Sequence, residues 1–384
     1  MQVGSIGGIH RATTRAAEAE PAAAELHAVL GDRPDAAILL FASSERDLEG
    51  LAAALSRRFT ATPIVGCTTS GEIAETGYMS DTVVALALSA PDFHVTTERI
   101  DDLGGFNIAD GGELVRHALH RLQRAAPDLD RSHVFAMALI DGLSRAEEAV
   151  VSSLHAALAE IPLFGGSAGD ALRFHATHIL HDGVFRRNCA VLVMIATRHP
   201  FRVFKTEHFS AAEEKMVVTQ ADPARRIVTE INAEPAAREY ARLVGLAPGQ
   251  LTPMIFAAHP VVVRVGGLNF VRSIQKVNED ESLTFFCAID EGIVLTVARP
   301  LDIVDDLERL FARLRDELGP LQLVIGCDCI LRLLEIRQRG LSEPVGTMLA
   351  RNRVFGFSTF GEQFQAMHVN QTFTGVAIGR WRRP

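Results

Sequence analysis

Two carboxylates, each on a glycine-bounded turn, are the residues of this chain best placed to do chemistry. The sequence reads Gly66-Cys-Thr-Thr69-Ser-Gly71-Glu72 and, 290 positions later in the same register, Gly356-Phe-Ser-Thr359-Phe-Gly361-Glu362. Ten residues beyond each glutamate an apolar run opens on a threonine, Thr82 or Thr372. Glycine permits positive φ and close backbone approach, so Thr69, Glu72, Thr359 and Glu362 are placed to turn polar groups into a shared cavity. If the glutamates converge they also form an acid–base pair. The competing expectation is that threonine and glutamate cap their own turns and only hold geometry. A degenerate third copy, Pro162-Leu-Phe-Gly165-Gly166-Ser-Ala-Gly169-Asp170, aligns on Gly66 with an offset of 99 and adds Gly166 to the expected pocket.

Histidines are the second set: Arg173-Phe-His175-Ala-Thr-His178-Ile-Leu-His181-Asp182-Gly183. Thr177, Ile179 and the closing Asp-Gly favour a strand running into a hairpin. On such a strand His175 and His181 share a face and His178 points away, which argues against a three-histidine zinc site. His368 stands apart in Met367-His-Val-Asn370-Gln371-Thr372, at a strand start opposite the Gly361-Glu362 turn. Asn370 and Gln371 either orient it, bond a ligand, or brace the turn.

Other chemistries find little footing. Cys327-x-Cys329 has one residue between its thiols and no second pair, so it does not match a zinc site, and buried small residues are the expectation. No P-loop, dinucleotide fingerprint, Gly-x-Ser-x-Gly or Cys-x-x-Cys-His occurs. A net charge of −9 with dispersed acid argues against general nucleic-acid binding, which needs a basic stripe. The one basic cluster, Arg380-Trp-Arg-Arg383, reads as a frayed tail. No apolar stretch approaches the ~18–20 residues that span a bilayer, and Met1 to Arg15 lacks a signal-peptide core. Five thinly spread cysteines make no disulfide framework. The expectation is a reduced, cytoplasmic protein.

The elements that must position these residues repeat. Residues 16–30 read as a helix, 36–42 as a buried strand, and Ser43-Ser44-Glu45 as the cap of a helix to about 58. Strands follow at 82–89 and 93–100, then a helix at 105–124. The order recurs with a strand at 133–140, the turn Asp141–Ser144, a helix at 145–159 and the Gly165 turn. Strands are expected at 175–181, 188–196, 201–208 and 214–220. Beyond 223 come strands at 226–231, 261–265, 270–276, 283–289 and 292–298, and helices at 235–244 and 302–318. The strand Leu321–Gly326 leads through Cys327–Cys329 into a helix at 330–338. Three copies of strand–turn–helix–strand–glycine turn predict an α/β protein of mixed sheets, with polar turns gathered at strand ends, where ligands usually bind.

The glycine motifs at 66–72 and 164–170 resemble hallmarks of the N-terminal half of FIST-domain proteins. Those at 355–362 and 367–372 resemble hallmarks of the C-terminal half, and the match runs from roughly 35 to 380. The resemblance implies an N-terminal segment (1–30), a FIST N-type domain (31–222) and a FIST C-type domain (223–384), two pseudo-related halves of a sensory ligand-binding protein rather than an enzyme. Within the family the chain is similar to the stand-alone nitric oxide sensing members. It shares with them the absence of a fused output domain, the Leu180-His181-Asp-Gly183 turn, Gly326-Cys-Asp-Cys-Ile-Leu-Arg332 and the closing Val369–Gly379 segment.

That similarity implies heme b as cofactor and nitric oxide or another diatomic gas as ligand. It also implies a histidine kinase, diguanylate cyclase or phosphodiesterase as signalling partner, and a homodimer is the default assembly. One imidazole is enough for heme iron. His181, beside Phe174, Ile179, Leu180 and Phe185, is the first choice, with His178, His175 and His368 as rivals and a Cys327 or Cys329 thiolate behind them. The alternative is a heme-free FIST receptor for a small metabolite such as an amino acid, bound by Thr69, Glu72, Thr359, Glu362 and Asn370. A third expectation is an enzyme working through Glu72 or Glu362.

Overall fold

The computed structural model describes residues 7–265 and 268–381. The N-terminal stretch before Gly7 and the tail residues Arg382 and Arg383, which the sequence reads as free of a signal core and as frayed, lie outside the described residues.

Among the described residues the chain repeats one unit three times: strand, helix, strand, helical segment, strand, hairpin, strand. The first unit has strands Ile9–Thr14, Ala36–Ser43, Ile64–Thr69 and Val83–Ser89, with helices Ala19–Leu30 and Leu48–Arg58. The second has strands Phe93–Asp101, Val134–Ile140, Leu163–Ser167 and Cys189–Thr197, with helices Ile108–Ala125 and Glu147–Leu158. The third has strands Phe201–Thr206, Leu321–Cys329, Val354–Thr359 and Phe373–Gly379, with helices Ile303–Leu318, Ile330–Gln338 and Ser342–Arg351. In each unit the two middle strands pair in parallel around a helical crossover, as Leu40 with Gly66, Ala138 with Gly165 and Gly326 with Gly356. These strands are buried on both faces, which is why they read as unbroken apolar runs.

The hairpins are exchanged in a ring. The first unit's hairpin (Glu72–Ala74 and Gly77–Met79) pairs with the third unit's strand, Glu72 opposite Phe357. The third unit's hairpin (Glu362–Phe364 and Met367–Val369) pairs with the second unit's strand, Glu362 opposite Gly166. The second unit's hairpin (Ile179–His181 and Val184–Arg186) returns to the first, Ile179 opposite Cys67. Each of the three sheets therefore has six strands, four of its own and two borrowed. Their inner faces share one core, including Phe41, Phe135, Phe164, Phe355 and Phe357, with Phe41 stacked on Phe357 at a centroid distance of 4.4 Å. The helices cover the outer faces.

Gly66, Gly165 and Gly356 hold equivalent places for a physical reason. A methyl group at any of them would run into the carbonyl oxygen of Leu40, Ala138 or Gly326 on the neighbouring strand. The repeated glycine thus marks the closest approach within each parallel pair.

Between the third unit's first strand and its first helix, residues 209–300 form an inserted, antiparallel eight-stranded sheet with helices Ala236–Leu243 and Pro253–Ala258 and a core of its own.

Several local expectations change: the strand expected at 283–289 ends at Phe285, and the one expected at 270–276 is broken at Ser273. The second helix is capped by Asp47, whose carboxylate accepts from the Gly50 amide at 2.9 Å, rather than by Ser43–Glu45. The first helix begins at Ala19. Strand structure expected from 175 begins only at Ile179, because the Asp170 carboxylate accepts the amides of Phe174, His175 and Ala176 at 2.9, 2.7 and 2.9 Å and closes them into a loop. The expected shared face for His175 and His181 is lost with it.

Candidate functional site

The glycine turns meet where the parallel strands end, and there they lock together in the order of the hairpin exchange. Ser70 and Gly71 bond Ser358 through the main chain at 2.9 and 2.7 Å, Ser167 bonds Gly361 and Phe360 at 2.8 and 3.3 Å, and Thr68 bonds His178 and Gly169 at 2.9 and 3.0 Å. Within this ring Glu72 accepts the Thr82 hydroxyl and amide at 2.6 and 3.3 Å and the Thr69 hydroxyl. Glu362 accepts the Thr372 hydroxyl and amide at 2.7 and 3.2 Å and the Thr359 hydroxyl. Both carboxylates are fully buried. Burial raises Glu72 above the usual carboxylate range and pushes Glu362 up to about 8.

Thr69, Glu72, Thr359 and Glu362 are therefore spent on bracing their own turns, the second of the two roles the spacing allows. Gly166 does not line a pocket either: its Cα packs against the Phe357 ring and the Thr359 methyl. Asn370 alone of the expected pocket residues keeps a buried oxygen without a hydrogen-bond partner.

That oxygen belongs to a seam between the third unit's hairpin and the inserted sheet. The strand Leu268–Arg272 lies against Met367–Val369, and helix Glu147–Leu158 lies on the hairpin as well. Along this seam four buried polar atoms have no hydrogen-bond partner, Gln363 Oε1, Asn370 Oδ1, Gln371 Oε1 and Ser273 Oγ, while His368 reaches the Phe286 main chain and Arg272 the Cys287 thiol. Buried polar groups are nearly always satisfied, and leaving one unmade costs ~1–3 kcal/mol. Such atoms are the ones a bound water or ligand would satisfy.

Charges of both signs border the seam. Arg226 of the inserted sheet, buried, donates to Glu147 at 2.7 Å and Glu148 at 2.6 Å of the second unit, and also to the Phe286 carbonyl. Glu148 in turn accepts the Ala288 amide at 2.6 Å. Burial pushes Glu147 up to about 7, opposed by Arg226. His368 is held down at about 4, chiefly by burial, with Glu148 acting against and Arg226 and Arg272 acting with that displacement. Its imidazole is neutral at pH 7. On the apolar side Phe174, Phe286 and Phe360 form a cluster of tilted rings with centroids 5.1–5.9 Å apart.

The remaining predicted residues are dispersed. His175 is exposed and His178 half-buried with an unpartnered Nδ1. His181 sits on a cleft of about 350 Å³ lined by Ala52, Leu55, Phe59, Ile64, Leu180 and Thr97, among others. Its Nε2 is 3.0 Å from the Thr97 hydroxyl and its Nδ1 is 3.0 Å from the Asp182 carboxylate. Burial lowers the pKa of both His178 and His181. Cys327 and Cys329 are buried, and burial raises both thiols well above their ordinary value, so they stand as protonated core groups. No group of three or more metal-ligating side chains assembles among the described residues.

As a heme site, His368 does not fit. Its ring and Asn370 pack directly against Gly361, where even a methyl group would collide. His181 fits as a donor, an imidazole edge that would exchange the Thr97 bond for iron, but its cleft is of mixed lining, with Ser56, Thr60, Thr62, Thr97 and Asp182 beside Ala52, Leu55, Phe59, Ile64 and Leu180. The cleft is at the small end of ligand cavities.

Arg226, Glu147, Glu148, Arg272 and Gln363 were missed by sequence reasoning. The two glutamates are 79 and 78 positions from Arg226, and isolated charges at that spacing carry no local pattern.

The FIST N domain profile matches residues 36–234 and the FIST C domain profile matches residues 236–365. No curated protein sequence matches the chain. Among solved structures a cyanuric acid hydrolase aligns over 97% of this chain and 99% of its own, at 10% identity and a TM-score of 0.36. PurLQS from Thermotoga maritima aligns over 99% of this chain and 74% of its own, at 9% identity and a TM-score of 0.17. Neither likeness bears on activity. No helix among the described residues is long and apolar enough to cross a membrane.

Proposed function

The chain belongs to the FIST family of sensory signal-transduction proteins, and from that premise we propose that it is a receptor for a small zwitterionic metabolite, an amino acid, held in the seam between the third hairpin and the inserted sheet. The observation that carries this reading is the set of unpartnered buried polar atoms there, on Gln363, Asn370, Gln371 and Ser273. Arg272 suits a carboxylate, the carbonyl oxygens of Gln363 and Asn370 suit an ammonium group, and the Phe174, Phe286 and Phe360 rings suit an apolar side chain.

Signalling follows from where the seam lies. The inserted sheet joins the three-unit body through the chain at Thr206–Phe209 and Pro300–Ile303, through the Arg226 ion pairs, and through Ala257 and Phe286 packed on Ile330, Leu331, Leu333 and Phe360. A ligand that fits one placement of that sheet better than another shifts the balance between them. A histidine kinase or a cyclic-di-GMP enzyme reading that surface would then be regulated. Thermal unfolding with each of the twenty amino acids at millimolar concentration tests the reading. A rise in Tm with one or a few of them, lost in Arg272→Gln, is expected. No rise with any of them contradicts it.

A second reading has its own observation, the His181 cleft. Heme b held by His181 against Ala52, Leu55, Phe59, Ile64 and Leu180 would supply an iron site for nitric oxide. Protein made with heme supplied, or mixed with hemin, would then show a Soret band that His181→Ala removes and His175→Ala, His178→Ala and His368→Ala do not. Absence of a Soret band in the parent protein ends this reading.

A further inference from the structure

The opposite end of the three-unit body, where the parallel strands begin, holds a separate and larger cavity of about 1370 Å³. Contributions come from all three units: Asp92 from the first, Arg131, His133 and Glu160 from the second, Arg198, His199, Phe201, Gln322 and Arg380 from the second-to-third junction and the third, with Trp381 at its edge. Nothing in the ligand reading above uses these residues.

Two side chains, each 7% exposed, present unpartnered polar atoms to this cavity: His199 Nε2 and Gln322 Oε1. The His199 ring is fixed. It stacks on Phe93 at a centroid distance of 5.3 Å with 4° between the planes, and its Nδ1 lies 3.0 Å from the Gly379 carbonyl and 3.1 Å from the Trp381 amide. Whichever tautomer is present, Nδ1 is engaged by the main chain and Nε2 alone is left for the cavity, with the Asp92 carboxylate no nearer than 4.0 Å.

The lining is unlike the rest of an acidic chain. Three guanidiniums, Arg131, Arg198 and Arg380, face two carboxylates, Asp92 and Glu160, so the arginines outnumber the acids by one. Arg198 also reaches Asp128 at 3.6 Å, but that carboxylate is 82% exposed, and such a pair is worth little. A concave, partly apolar wall focuses the remaining positive potential. Phe201, Pro162, Pro200 and Leu318 offer flat apolar surface beside it.

We infer that this cavity is a second ligand site, for a small planar molecule carrying one carboxylate, with the headgroup toward the arginines and the body against Phe201 and the prolines. A single negative charge matches the one arginine in excess of the acids, and Gln322 and His199 supply hydrogen bonds at the floor.

Trp381 is the only tryptophan in the sequence and lines the cavity, so its fluorescence reports on this site. Titration of the full chain with 4-nitrobenzoate, an aromatic carboxylate that quenches indole emission, is the test, with the neutral 4-nitrobenzamide as its partner probe. Saturable quenching by the carboxylate is expected. The amide should bind at least tenfold more weakly, and the double variant Arg131→Gln/Arg380→Gln should lose carboxylate affinity by at least tenfold. Both arginines are exposed, so the variant should keep its Tm. The inference is overturned by linear, equal quenching from both compounds, or by saturable binding that the double variant leaves unchanged. Arg272→Gln should leave this quenching untouched, which separates the cavity from the seam.

Discussion

Glu72 and Glu362 occupy the same place in two different units and make the same three hydrogen bonds, each to a threonine three residues before and a threonine ten residues after. The equivalence extends to their sheets, since each glutamate opens a hairpin donated to another unit's strand. A carboxylate sealed in this way is a clasp on the exchange, and its proton has consequences for stability.

Glu362 has a folded pKa of about 8 against an ordinary 4.5, raised by burial, with Asp328 adding to the effect and Thr359 and Thr372 opposing it. The folded state therefore holds the proton more tightly than the unfolded chain. Stability from this group is greatest below pH 4.5, falls as pH rises toward 8, and levels off above that, at up to about 1.4 kcal/mol per pH unit. Denaturant unfolding at pH 5.5 and pH 8 should show a lower midpoint at pH 8. Glu362→Gln should flatten much of that difference, and Glu147, held near 7, should account for a further part.

His368 works in the opposite sense. Its folded pKa of about 4 lies below the ordinary 6.5, so its contribution is complete above pH 6.5 and is lost as pH falls toward 4. Glu148, Arg226 and Arg272 are the charged groups around it. Acid unfolding should begin in this window, with about 3 kcal/mol at stake. His368→Asn should move the acid midpoint downward in pH. A midpoint unchanged in His368→Asn contradicts a neutral, buried imidazole.

Arg226 bridges the inserted sheet to Glu147 and Glu148. Arg226→Met leaves two carboxylates without their cation and should cost about 3–5 kcal/mol, the usual penalty for breaking a buried pair. Hydrogen exchange should speed first at the Ala288 amide and in residues 268–273, before the three-unit core opens. Adding Glu147→Gln should recover part of the loss.

Glycines separate by position. Gly356→Ala would place a methyl group in the Gly326 carbonyl and should prevent accumulation of folded protein. Gly112, inside helix Ile108–Ala125 with nothing near its Cα, should tolerate alanine and gain about 0.5–1 kcal/mol. Expression yield and Tm of the two variants decide this.

Much of the fold can be read along the chain because the forces are local. Unbroken apolar runs such as Ala36–Ser43 and Leu321–Cys329 announce strands buried on both faces, and Gly66, Gly165 and Gly356 recur because a parallel neighbour leaves no room for a side chain. The mixed α/β architecture and its threefold recurrence follow from those signals. The hairpin exchange does not, since residue types at Glu72–Met79 say nothing about which distant edge they join. Asp170 illustrates a different failure. Residues 175–178 have strand-like composition, yet one carboxylate accepting three amides holds them as a loop. The seam is hidden for a third reason: Arg226, Arg272 and His368 become neighbours only when the inserted sheet folds back on the second and third units.

The most direct test of the seam as the ligand site is calorimetric titration of the amino acid that raises Tm most, into the parent protein, Arg272→Gln and His181→Ala. The account predicts saturable one-site binding to the parent and to His181→Ala, with affinity at least tenfold weaker in Arg272→Gln. Binding to Arg272→Gln that equals the parent's, or loss in His181→Ala alone, would contradict it.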